Sequence, residues 1–60
     1  MAVPEQYRLL KEQYGWRVLV TWGLLQTEYL RVYYRTARDA REAAKQHAAT
    51  YGNTTPIIVR

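Results

Sequence analysis

The stretch TEYLRVYYRTARDAREAA, residues 27–44, changes its period halfway along. Through Arg35 it alternates with period two, and from Thr36 it repeats with a helical period, which predicts a strand over about 27–35 and a helix over about 37–51. Successive side chains of a strand point to opposite faces, so Leu30, Val32 and Tyr34 share one face while Tyr29, Arg31, Tyr33 and Arg35 share the other. Thr36 stands three residues before Asp39, the spacing of a capping box in its Asp form. Gly52 and Asn53 both tolerate a left-handed helix end. Within the helix, Ala37, Ala40, Ala44, His47, Ala48 and Tyr51 make an inner face, and Arg38, Arg41, Glu42, Lys45 and Gln46 turn to water.

Working outward, WRVLVTWG, residues 16–23, alternates as well. Trp16, Val18, Val20 and Trp22 form its buried side, with Arg17, Leu19 and Thr21 opposite. GLLQ, residues 23–26, is the expected hairpin connection, with Leu24 and Leu25 either folded back on the core or exposed as a contact point. Further toward the N-terminus, Val3, Tyr7, Leu10 and Tyr14 recur at spacings of four, three and four, which predicts a short helix over about 4–14 between Pro4 and Gly15. TPIIVR reads as a last strand over about 56–60, with Pro56 at its entrance. The sum is a small α+β domain, residues 1–60, ordered α-β-β-α-β. Its three-stranded antiparallel sheet has order 2-1-3, with the long helix packed on one face through small alanines.

Sixty residues permit one modest core, and with no cysteine neither disulfides nor thiolate metal sites reinforce it. A homodimer is one way to supply the missing stability. No apolar run reaches membrane-span length, and the N-terminus lacks a signal-peptide pattern, so a cytoplasmic protein and a complete small reading frame are expected. Net charge is +4, and seven of the nine cations are Arg. Such a chain is drawn to polyanions or to an acidic protein surface, and the planar guanidinium suits phosphate and carboxylate alike.

Catalysis is not expected: the chain has no Ser, no Cys and a single His, and no spacing pairs a nucleophile with a base. His47, on the inner helix stripe, reads as a packed histidine rather than a metal ligand. The carboxylates sit among cations as surface pairs such as Arg38 with Glu42. Isolated glycines make no phosphate loop, so no cofactor and no small-molecule substrate are implied.

The Tyr/Arg sheet face is the remaining signal. Tyrosines there can stack on unpaired bases while arginines meet phosphates, or a ribbon can carry Arg17, Arg31 and Arg35 into a duplex groove. Arg38 and Arg41 at the helix start are then available for backbone phosphates. The strand pair leading into a Thr-capped helix, residues 16–48, resembles the arm-type DNA-binding domains of phage integrases, which carry three strands before their helix where this reading gives two. The expectation is a small nucleic-acid-binding accessory or regulatory protein, of a kind phages encode, acting on DNA or RNA. The competing expectation assigns the same face, through Leu19, Tyr29 and Tyr33, to a homodimer or to docking on a host protein as an adaptor or inhibitor.

Overall fold

The computed structural model describes residues 3–23 and 26–60. Its elements run β1 (Gln6–Glu12), β2 (Gly15–Gly23), β3 (Gln26–Tyr29), α1 (Ala37–Thr50) and β4 (Ile57–Val59). The strands form one mixed sheet in the order β3-β2-β1-β4, with β1 antiparallel to β2, β2 antiparallel to β3, and β4 parallel to β1. The helix lies on one face of this sheet. The expected connection through Leu24 and Leu25 lies outside the described residues.

Three expectations are corrected. Residues 4–14 do not form a helix: Gln6–Glu12 is a strand paired with β2 along its whole length, from Gln6 opposite Thr21 to Glu12 opposite Gly15. The helical spacing of Val3, Tyr7, Leu10 and Tyr14 coincides with a period-two set in which Tyr7 and Leu9 share a face. That set prevails because pairing with β2 satisfies backbone groups and sends both residues into the core. The strand expected over 27–35 ends at Tyr29. Finally, the sheet has four strands and a parallel pair, not three antiparallel strands in order 2-1-3.

The helix follows its sequence signals. Thr36 caps it, its Oγ1 accepting from the Asp39 N–H at 3.0 Å. At the other end Gly52 takes φ +90°, the Gly52 N–H donates to Ala49 O at 3.0 Å and the Asn53 N–H to Ala48 O at 2.9 Å, which is a Schellman termination. Asn53 also ties the helix end to the chain start, its Nδ2 donating to Pro4 O at 2.7 Å. Glu42 pairs with Lys45 at 3.6 Å, rather than with Arg38.

The core consists of Tyr7 and Leu9 from β1, Val18 and Val20 from β2, and Ala40, Ala44 and Ala48 from α1, all buried. Trp16, Trp22, Leu30, Tyr34 and Ile58 pack around it. The alanine stripe lets the helix approach closely, so large residues of the sheet fill the gap. Near the C-terminal end of α1, the Tyr7 hydroxyl and His47 Nδ1 are hydrogen-bonded at 2.7 Å, and Trp22 and Tyr51 meet His47 with ring centroids 5.7 and 5.0 Å away. Histidine is thus a packed core-edge residue.

Burial, with a smaller contribution from Tyr51, pushes the Tyr7 hydroxyl up to about 12. An unfolded chain ionises this tyrosine near 10, so between about 10 and about 12 the unfolded state holds fewer protons than the folded one, and stability falls as pH rises through that window. Thermal melts across this range should show a steady decline in midpoint that a Tyr7→Phe variant lacks in part. A decline of equal size in the variant would disprove the assignment to Tyr7.

Candidate nucleic-acid interface

The sheet face turned away from α1 carries no covering element among the described residues. Ladder partners of β1 and β2 share a face, so Arg8 stands opposite Leu19 and Leu10 opposite Arg17 on this side, and Tyr29 extends the first row across β3. Arg8 and Tyr29 are exposed, while Leu10, Arg17 and Leu19 are half-buried.

Beyond Tyr29 the chain leaves the ladder and returns. The Leu30 N–H donates to Val18 O at 3.0 Å, and Tyr34 then closes an antiparallel bridge on Trp16 through bonds of 2.7 and 2.8 Å. From Leu19 to Trp16 is three residues, whereas from Tyr29 to Tyr34 is five. Two residues are therefore extra, and an even excess leaves the in-and-out alternation intact at its far side. Tyr34 accordingly packs with the core and Tyr33 returns to the open face. Arg31 and Val32 fall in the excess. Val32, expected on the helix face with Leu30 and Tyr34, is 54% exposed instead.

The result is a built cluster around Arg17. Its guanidinium carbon lies 4.0 Å from the centroid of the Tyr29 ring and 5.5 Å from that of Tyr33. Arg17 Nη1 meets Glu12 Oε1 at 3.4 Å, and the Tyr33 hydroxyl donates to the same oxygen at 3.1 Å. Tyr14 packs edge-on against Tyr33, with centroids 6.0 Å apart. The hydrogen bond to Glu12, followed by partial burial, raises the Tyr33 pKa, and the charge of Arg17 opposes that rise. The rise moves ionisation of the phenol further from neutral pH, where a tyrosine is protonated and donates in any case.

The expected site residues thus separate. Arg17, Leu19, Tyr29 and Tyr33 come together on the open face. Arg31 and Arg35 are exposed on the irregular segment after β3. Arg38 and Arg41 lie across the sheet, beside Ile58 in a groove between α1 and β4, and do not join the tyrosine cluster. Arg8, Leu10 and Glu12 were missed because residues 4–14 read as a helix; the period-two reading of YRLLKE, followed at once by Gly15 and a strand, is the signal that finds them.

Among the described residues no group of three or more His, Asp or Glu comes close enough to hold a metal ion, and no helix is long and apolar enough to cross a membrane. Comparison with protein-family models, curated proteins and solved structures finds no match for this chain.

Proposed function

We propose that this protein is a small, non-enzymatic nucleic-acid-binding accessory protein whose contact surface is the open face of β1, β2 and β3. The observation that carries this reading is the Arg17 guanidinium, 4.0 Å from the centroid of the Tyr29 ring and tethered to Glu12, on a sheet face beside an exposed Arg8 that has no salt bridge among the described residues. A guanidinium held flat by a ring loses less rotamer freedom on binding than a free one, and its remaining N–H groups suit phosphate oxygens or the edge of guanine. Tyr14, Tyr29 and Tyr33 add exposed rings for unpaired bases.

Binding titrations at several salt concentrations test the reading. Arg8, Arg17, Arg31 and Arg35 can neutralise about four phosphates, so log K against log salt should fall with a slope of about −3.6 for duplex DNA and about −2.8 for a single strand. For the duplex, affinity should drop roughly a hundredfold between about 50 and about 200 mM salt. Replacing Arg17 by Ala should weaken binding and flatten the slope by about one. Absence of binding at the lower salt, or a slope near zero, would sink the proposal.

A second reading rests on Leu10, Leu19 and Val59, which with Tyr29 make the same face partly aliphatic. Such a surface fits a protein partner or a second copy of the chain. It requires association that salt barely alters and that Tyr33→Ala weakens in sedimentation.

A further inference from the structure

On the opposite side of the sheet, two adjoining clefts of about 510 and about 230 Å³ lie between α1 and β4 and share Arg41 and Ile58. They make one continuous groove. Its floor is apolar, with Leu9, Pro56 and Ile58, and its rim carries four cations, Arg38, Arg41, Lys45 and Arg60. No Asp or Glu lines it among the described residues; on its rim Lys45 meets Glu42 in an exposed 3.6 Å pair. The Arg60 guanidinium is steadied 5.2 Å from the centroid of the Trp16 ring. Four of the chain's nine cations therefore flank this groove, apart from the tyrosine cluster.

The groove runs along the outer strand of the sheet. The Ile57 N–H donates inward to Glu5 O at 3.2 Å, so by the alternation of a strand the N–H and C=O of Ile58 turn toward the free side. An unpaired edge of this kind accepts another strand. We propose that the groove and the β4 edge bind an extended acidic peptide, which adds as a fifth strand beside β4. Its acidic side chains alternate with β-branched apolar ones. Residues on the helix side of such a strand are spaced by about 6.6 Å. Along α1, Arg38, Arg41 and Lys45 step by about 4.5 and about 6 Å, a mismatch that their long side chains absorb. The alternate residues lie on the other side of the sheet next to Ile57, which is 61% exposed, and Val59. A phosphate polymer would engage the cations but use neither the backbone groups of Ile58 nor the apolar side chains of Ile57 and Val59, which is why the peptide is the better fit.

The cationic groove lies across the sheet from the nucleic-acid surface, which the proposed strand meets only at its edge beside Val59, and the two can be tested side by side. A fluorescein-labelled, acetylated hexapeptide alternating glutamate with valine is titrated with the full chain, followed by anisotropy and by the amide NMR signal of Ile58. Saturable binding is expected, with a shifted Ile58 amide. Arg41→Glu should weaken it at least tenfold, and Arg31→Glu, on the segment after β3 at the opposite edge of the sheet, should leave it within about twofold. The same Arg41→Glu protein should retain its affinity for duplex DNA within about threefold, which also shows that it is folded. The proposal is overturned by absence of peptide binding, by equal binding of a lysine/valine peptide, or by equal sensitivity to Arg31→Glu. It is also overturned if Arg41→Glu abolishes DNA binding, for then the groove serves a nucleic acid.

Discussion

Replacing Gly15 by Ala should cost this protein most of its stability, with a fall in melting temperature of roughly 12–24 °C in a thermal circular-dichroism scan. Two independent strains combine there. Gly15 has φ +127°, a region that residues with a Cβ scarcely occupy, at a cost of about 1–3 kcal/mol. An added Cβ would also stand 2.7 Å from the Tyr34 carbonyl oxygen, which is backbone and is itself held by the Trp16 N–H at 2.7 Å. To relieve the contact, the bridge between Trp16 and Tyr34 must open, and Tyr33 loses its seat beside Arg17. A domain of this length has about 3–9 kcal/mol in total. Gly15→Ala should therefore also weaken nucleic-acid binding, even at temperatures where the chain remains folded. A fall of only two or three degrees would show that the bridge is dispensable.

The second large effect is expected at Tyr7. Its side chain is fully buried and is the largest so enclosed. Truncation to Ala removes a ring's worth of packing against Val18, Val20 and the alanine stripe and leaves His47 Nδ1 without its partner. Large-to-small changes of this kind cost about 3–5 kcal/mol, enough to unfold much of the population at room temperature. Tyr7→Phe isolates the hydrogen bond and should cost about 1 kcal/mol. If denaturant titration gave the two variants equal stability, the ring would not be the support that its burial implies.

Tyr7 also shows where the sequence is legible and where it is not. The helix was readable in detail, because its signals are local: Thr36 and Asp39 at capping distance, alanines at helical spacing, and Gly52 just past the end. The core face of β2 was readable for the same reason, since Trp16, Val18, Val20 and Trp22 alternate without interruption. Residues 4–14 satisfied two periods at once, and the deciding factor was pairing with β2, three to fifteen residues further along, which the apolar spacing of residues 4–14 does not itself contain. The turn between β1 and β2 holds Gln13 and Tyr14, without the Asn-Gly or Asp-Gly that advertises a tight hairpin. The odd-numbered residues of 29–35 illustrate a partial success. Tyr29 and Tyr33 face outward as their alternation implies, but two extra residues displace Arg31, and nothing in the composition of LRVYY marks them as extra. Arg38 and Arg41 were recognisable as exposed cations; that they face a groove floored by Ile58 depends on β4 lying beside β1, a placement that the tally of strands had hidden.

That placement bears on how the chain acquires its structure. Gln6 pairs with Ile57, so the outermost strand closes a loop that includes nearly the whole polypeptide. Contacts so distant along the chain form late, because their entropic cost is met only after nearer ones are made. During synthesis, the hairpin of β1 and β2 and the helix emerge first and can assemble, whereas the outer flank of β1 waits for residues 57–59. Until then the nascent domain presents a bare strand to any neighbour able to pair with it.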